Sequence, residues 1–328
     1  MYFNESSVTQ VFYAGREPFE VLPGFFFFLI SSIGIPKVFK DYKSPISTDI
    51  IKKADTIVIK RLGALGDVLM LAPVVNQIKD EYDKKVKLII GESYFNSRFV
   101  QILSDDTFDE IIPYLKFNGL KSNEVGVDFT GVMELDHNLP EWKYIPRVDI
   151  YRKLLGLDTS IPAVWRKNPF PWQDKKFIVF NSGGSWEIKT IPLDTALFIV
   201  DGLIANGYEV IQNRDEKGLR LEVEDMVGYL LRAKCLITTD SAPLWMSHFT
   251  ETPVCFIHGP SRAEERLAHH PLKPEGVCDI DLAAMINCQP CFEDMEACRG
   301  AVDCFKKIDK NKLLDLILEC VDKVSWKG

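Results

Sequence analysis

Hydrophobic and polar positions along this chain form two nearly repeated series, each opening on a short β-branched or aromatic run that ends in a glycine-containing turn. The first starts at Thr56–Lys60 and turns through Arg61-Leu62-Gly63-Ala64-Leu65-Gly66-Asp67. Beyond Asp67, Val68, Leu71, Val74, Val75 and Ile78 recur at helical spacing, with Pro73 opening a new turn or kinking the helix. A strand over Val86–Ile90, a helix around Tyr94–Leu103 and strands over Glu110–Pro113 and Val125–Phe129 follow. The second series starts with strand Phe177–Asn181 and turns through Ser182–Lys189. It predicts a helix over Leu193–Asn206, strand Glu209–Gln212, a charged helix around Leu219–Leu231, strand Cys235–Thr239, a helix over Trp245–Phe249 and strand Pro253–Ile257. Lys310–Val324 is an amphipathic helix with Leu313, Leu314, Ile317, Leu318 and Val321 on one face. Near-continuous apolar strands alternating with amphipathic helices indicate mostly parallel sheets covered on both faces. The fold class is therefore α/β, with two similar units and a cleft between them.

Segments outside these series set the boundaries. Turn signals at Ala14-Gly15 and Pro23-Gly24 separate short β-rich runs, so residues 1–54 read as a small β extension. The run Gly24–Pro36, with four consecutive phenylalanines, is shorter than the roughly 20 residues a membrane helix needs and reads as a buried strand pair. A first Rossmann-like domain spans 55–160, and the proline-containing stretch Asp158–Lys176 connects it to a second over 175–308. Residues 309–328 carry the terminal helix.

Composition narrows the function classes. At 328 residues, 46% hydrophobic and 26% charged, the chain has room for two domains of ordinary size. A net charge of −8 and a pI near 5.3 argue against nucleic acid as a partner. The start of the chain does not read as a secretory signal, and eight cysteines without one point to a reducing cytoplasm.

Three constellations could carry chemistry. Gly63 and Gly66 let backbone approach a ligand closely, with Asp67 at the rim or capping its helix. The turn Ser182–Lys189 offers glycines 183 and 184 and a compact positive charge on Lys189. Thr238-Thr239-Asp240-Ser241-Ala242-Pro243 repeats the strand-to-helix device, where helix-start amides favour phosphate; the alternative is that Asp240 or Ser241 caps the helix. His258-Gly259-Pro260-Ser261 could complete a pocket wall. Cys288, Cys291, Cys298 and Cys304 put four thiols within seventeen residues, suited to a tetrahedral structural zinc or iron site, with free thiols or disulfides as the alternative. Cys235, Cys255, Cys278 and Cys320 read as buried small apolar residues.

Together, Lys60–Asp67, Phe180–Pro192, Leu236–Pro243, Pro253–Pro260 and the cysteine cluster resemble the family 9 glycosyltransferases. These are heptosyltransferase-like enzymes of GT-B fold, with two facing Rossmann-like domains. Pro146–Asp149 before Leu154–Leu157 resembles the segment that closes the family's first domain. The resemblance implies inverting transfer of a sugar, usually heptose from ADP-heptose, to a hydroxyl of a glycan such as lipopolysaccharide core, or of a protein. Asp67 takes the position of the general base, with Arg61, Gly63 and Gly66 on the acceptor side. Lys189, Ser185, Asp240, Ser241 and Ala242 match donor-phosphate positions, and Glu216 loosely matches an acidic residue at the ribose. Catalysis of this kind uses no cofactor or divalent metal, and peripheral membrane contact is compatible with it. Trp245 stands where the family has a histidine, with His248 three residues on. That departure motivates the alternative of a non-catalytic binding or assembly protein on a GT-B scaffold.

Overall fold

A computed structural model describes residues 9–13, 26–30, 48–95, 107–129, 144–165, 177–184, 187–213, 221–286, 288 and 303–324. The chain divides into two compact units, residues 1–166 and 167–328. In the first, the described elements are β1 (Thr9–Tyr13), β2 (Phe26–Ile30), α1 (Thr48–Lys53), β3 (Thr56–Lys60), α2 (Leu65–Leu69), α3 (Ala72–Tyr82), β4 (Lys85–Ile90), α4 (Glu92–Phe95), β5 (Glu110–Pro113), β6 (Glu124–Asp128) and α5 (Arg147–Leu154). The sheet order is β1-β2-β6-β3-β4-β5. Strands β3 to β6 are parallel, and β2 joins β6 antiparallel, so the N-terminal hairpin extends this sheet. Pro73 sits in the first turn of α3 after the short α2, where its missing N–H costs nothing. The helix expected around Tyr94–Leu103 is described only as far as Phe95, and the rest lies outside the described residues.

The second unit contains β7 (Phe177–Asn181), α6 (Leu193–Ala205), β8 (Val210–Gln212), α7 (Val223–Leu230), β9 (Ala233–Thr238), α8 (Ala242–Thr250), β10 (Val254–His258), α9 (Ala263–Leu267), β11 (Val277–Asp281), α10 (Leu282–Met285), α11 (Asp303–Lys306) and α12 (Lys310–Val324). Its sheet is parallel, in the order β11-β10-β9-β7-β8. Ile178, Phe180, Cys235, Ile237, Cys255 and Ile257 from three of the strands pack with Leu313, Ile317 and Val321 of α12, the face that the sequence periodicity marks. Cys235 and Cys255 are buried apolar residues as expected. Cys278 and Cys320 are not simple core thiols: their Cα atoms lie 5.6 Å apart and a disulfide ties β11 to α12. Sequence spacing could not pair residues 42 apart, because the contact exists only once α12 packs on the sheet.

Each sheet has a place where the crossover direction reverses. In the first unit the chain moves from β3 to β4 and β5, then returns to β6 on the other side of β3. In the second it moves from β7 to β8, then returns to β9 beside β7 and on to β10 and β11. Loops leaving the carboxyl ends of the two strands at such a point diverge and leave an open crevice, the usual ligand position in open α/β sheets.

Helix α8 buries two imidazoles. His248 stacks on Trp245 at 5.2 Å and meets the edge of His270 at 4.6 Å, and its Nδ1 lies 3.0 Å from the Leu244 carbonyl. Burial pushes His248 down to about 3 and holds His270 well below its usual range. Both stay neutral in the fold, while the unfolded chain protonates them near pH 6.5. Below pH 6.5 the unfolded state binds more protons, so the contribution of His248 is intact above about pH 6.5 and is lost as pH falls toward 3, and that of His270 changes in the same direction. Melting temperature should drop steadily from pH 7 to pH 4, and His248→Gln should flatten that slope; an unchanged slope refutes the assignment.

Candidate functional site

In the first unit, the residues predicted at the ligand turn surround the β3/β6 switch point. Thr56–Lys60 forms the central strand because four of its five side chains are buried. The turn after it is set by Arg61, itself buried at 4% exposure. Its Nη2 meets Asp67 Oδ2 at 2.8 Å, and its Nε donates to the Tyr151 hydroxyl at 3.1 Å. The Ala64 amide donates to the same Asp67 oxygen at 3.1 Å, so Asp67 caps α2 as well as pairing with Arg61. Asp67 Oδ1 takes no hydrogen bond from the described residues. A Cβ on Gly63 would come within 2.7 Å of Arg61 Nη1 and 2.8 Å of Asp67 Oδ2, so a side chain there would displace this pair from its present position. Burial opposes charge on Arg61, but Tyr151 and Asp67 beside it hold the guanidinium above its usual range. Below the turn, Lys60 Nζ pairs at 2.7 Å with Asp128, which is fully buried at the end of β6.

The second unit builds its switch point around Asn181, the last residue of β7 and fully buried. Its amide nitrogen lies 2.9 Å from Thr238 Oγ1, 2.8 Å from Ser241 Oγ and 3.0 Å from the Gly183 carbonyl. Asn213, just past β8, donates to its amide oxygen at 2.5 Å. One side chain thus ties three strand ends together. Ser241 is the N-cap residue of α8 by backbone conformation, yet its hydroxyl makes no capping bond and turns to Asn181 and Thr238 instead. Asp240 Oδ2 receives Arg266 Nε at 2.8 Å and Lys189 Nζ at 3.3 Å, with Glu265 Oε2 3.0 Å from Arg266 Nη1. Gly184 permits the approach of Lys189, whose Cβ would lie 2.7 Å from a Cβ at that position. Two buried hydroxyl oxygens nearby in the fold, Thr239 Oγ1 after β9 and Ser261 Oγ after β10, have no hydrogen-bond partner among the described residues. Buried hydroxyls normally find one. Asp240 and Glu265 balance the charges of Lys189 and Arg266, so it is the helix-start amides and the two unmatched hydroxyls at adjacent strand ends that suit an anionic ligand.

The structure therefore brings together Arg61, Gly63, Gly66 and Asp67 on one turn, and Lys189, Asp240, Ser241 and Ala242 around another. Ser185 and Glu216 lie outside the described residues, as do Cys291 and Cys298. Cys304 is buried against Gly259 of the β10 loop, and Cys288 is exposed after α10. No group of three or more metal-ligating side chains occurs among the described residues. Trp245 and His248 are both core residues of α8. Sequence reasoning missed Tyr151 and Arg266. Tyr151 belongs to a helix 90 positions from Arg61, and Arg266 is 26 positions from Asp240, so no spacing rule links them.

No protein-family model matches the chain, and neither does any curated protein sequence. Solved structures do resemble it. The iron-containing dodecameric glycosyltransferase TibC from enterotoxigenic E. coli has a TM-score of 0.61 at 14% identity, covering 90% of this chain and 82% of TibC. The same enzyme in complex with ADP-D-β-D-heptose has a TM-score of 0.60 at 14% identity, covering 92% of this chain and 85% of that one. A family 9 glycosyl transferase from Veillonella parvula has a TM-score of 0.52 at 13% identity, covering 82% of this chain and 98% of that one. At these identities the likeness is one of architecture, and with two Rossmann-like units the chain has the GT-B fold, resembling family 9 glycosyltransferases in its construction.

Proposed function

We propose that this protein is an inverting glycosyltransferase that moves a sugar, a heptose from ADP-heptose, to a hydroxyl of a glycan or protein acceptor. The observation that carries the reading is the carboxylate of Asp67, held by one oxygen at a topological switch point while the other takes no hydrogen bond from the described residues. A carboxylate so placed takes the acceptor proton as the hydroxyl oxygen attacks the anomeric carbon; the bond to the departing diphosphate breaks with inversion. On the second unit, Lys189 and the backbone amides at the start of α8, in the loop Asp240–Ala242, offset charge on the leaving nucleoside diphosphate, so no divalent metal is required. Ser185 completes the phosphate loop and Glu216 meets the ribose in this reading. The TibC structure named as a complex with ADP-heptose supports the donor chosen. Acceptors include lipopolysaccharide-type glycans and proteins, reached by peripheral membrane contact where the acceptor is lipid-linked; the net negative charge argues against nucleic acid. None of the helices among the described residues is long and apolar enough to cross a membrane. A cytoplasmic location follows from the donor chemistry, and the Cys278–Cys320 bond is the feature that pulls the other way.

The four thiols of Cys288, Cys291, Cys298 and Cys304 are a donor set for one structural zinc or iron ion. Such an ion would tie Cys288, after α10, to Cys304, which packs on Gly259 after β10. No catalytic step passes through it.

Purified protein should release ADP from ADP-heptose in the presence of acceptor, and Asp67→Ala should lower turnover by about 10²–10⁴ while donor still binds. Donor-dependent stabilisation without turnover, across a panel of nucleotide sugars, would instead establish a binding protein on this scaffold. Lys189→Ala should weaken nucleoside-diphosphate binding by about tenfold or more, the worth of one charge-assisted hydrogen bond, measured by calorimetry. Elemental analysis should find one zinc or iron per chain, lost in Cys291→Ser; a metal-free wild type rejects the cluster.

A further inference from the structure

We infer that Tyr151 is a positioning residue for the reaction, acting on Asp67 through Arg61. The inference rests on the reading of Asp67 as general base, and it assigns a role to a helix residue outside the ligand turn. Arg61 has a long side chain with several rotatable bonds, and a single ion pair to a part-exposed carboxylate would not fix its direction. The Tyr151 hydroxyl supplies the second point. It accepts from Nε at 3.1 Å while Nη2 reaches Asp67 Oδ2 at 2.8 Å, and Nη1 donates to the Leu62 carbonyl at 3.2 Å. Three nitrogens of one planar group are thereby held on three partners.

Tyr151 is itself immobile. It is fully buried in α5, and its ring meets Phe129 edge-on at 4.9 Å, directly past the end of β6. Phe129 is bound to the central strand by its amide, which donates to the Lys60 carbonyl at 2.7 Å. A continuous set of contacts therefore runs from the strand ends on both sides of the switch point, through Tyr151 and Arg61, to a single oxygen of Asp67. Gly63 leaves the space through which the guanidinium passes. The consequence for chemistry is directional. With Oδ2 occupied by Arg61 and the Ala64 amide, Oδ1 is the oxygen presented to an acceptor hydroxyl, and its orientation depends on a hydroxyl that never touches substrate.

Removing only that hydroxyl, in Tyr151→Phe, keeps the ring and its packing on Phe129. The expected result is a kcat lowered by about ten- to a hundredfold, with donor and acceptor KM within about twofold of wild type, the mark of a misaimed base. In an Asp67→Ala background, single-turnover measurement should show no further loss from Tyr151→Phe, since nothing remains to aim. Gly63→Ala attacks the same linkage from the other side without touching α5, and should reproduce the kcat loss even if Tyr151→Phe folds poorly. If Asp67→Ala is inactive while both Tyr151→Phe and Gly63→Ala keep wild-type kcat, the positioning role is wrong and the base stands. An equal loss from Tyr151→Phe with and without Asp67, or a matching rise in donor KM, makes Tyr151 merely structural and also overturns it. Should Asp67→Ala be as active as wild type, or the wild type transfer no sugar, the base assignment fails and the positioning role with it.

Discussion

A parallel sheet has to reverse its crossover direction somewhere, and at that point two adjacent strand ends lose the loop that would otherwise cover them. Both units of this protein meet the constraint in the same way, by filling the gap with polar side chains that bind one another. Asp67, Arg61 and Tyr151 do so beside β3 and β6; Asn181, Ser241, Asp240 and Arg266 do so beside β7 and β9. The candidate site is thus the unfinished part of the fold, where chemistry is displayed because packing cannot continue.

At both places a carboxylate is matched to a buried guanidinium. Arg61 and Arg266 are 4% and 3% exposed, and such charges are tolerated only when paired and hydrogen-bonded. Pairs of this kind add little net stability against an apolar alternative, since desolvation offsets most of the Coulomb attraction. What they add is direction: a planar donor group sets the plane and angle of its carboxylate. The difference between the two is informative. Asp67 keeps one oxygen clear of the described residues, whereas Asp240 shares one oxygen between Arg266 and Lys189. A bonded Asp240 serves better as the holder of two cations than as a reacting group, and Lys189 is oriented by its pair with it.

The elements were legible because burial imposes a period on the chain. Strand Thr56–Lys60, helix Lys310–Val324 and the parallel strands between them follow from apolar spacing alone, and Gly63, Gly184 and Asp67 follow from the turn chemistry that ends a strand. The four-cysteine cluster stands out in the sequence because its members are close together, but Cys291 and Cys298 lie outside the described residues. Cys278 and Cys320 were misread as simple core residues because nothing local distinguishes a buried thiol from half of a disulfide. His248 could be read as a displaced ligand residue from its place near Trp245; only packing shows it neutral in the core of α8.

By itself, then, the sequence determined which segments are strands and helices, that the chain is α/β, and that glycine turns stand at its strand ends. Periodicity and turn propensity act over a few residues, so a one-dimensional record preserves them. Tertiary structure alone decided which buried polar groups meet: Arg61 with Tyr151 across 90 positions, Arg266 with Asp240 across 26, and Asn181 with Asn213 across 32. Those partners are brought together by sheet order, and sheet order is set by how the whole apolar surface is buried, which no short stretch of residues contains.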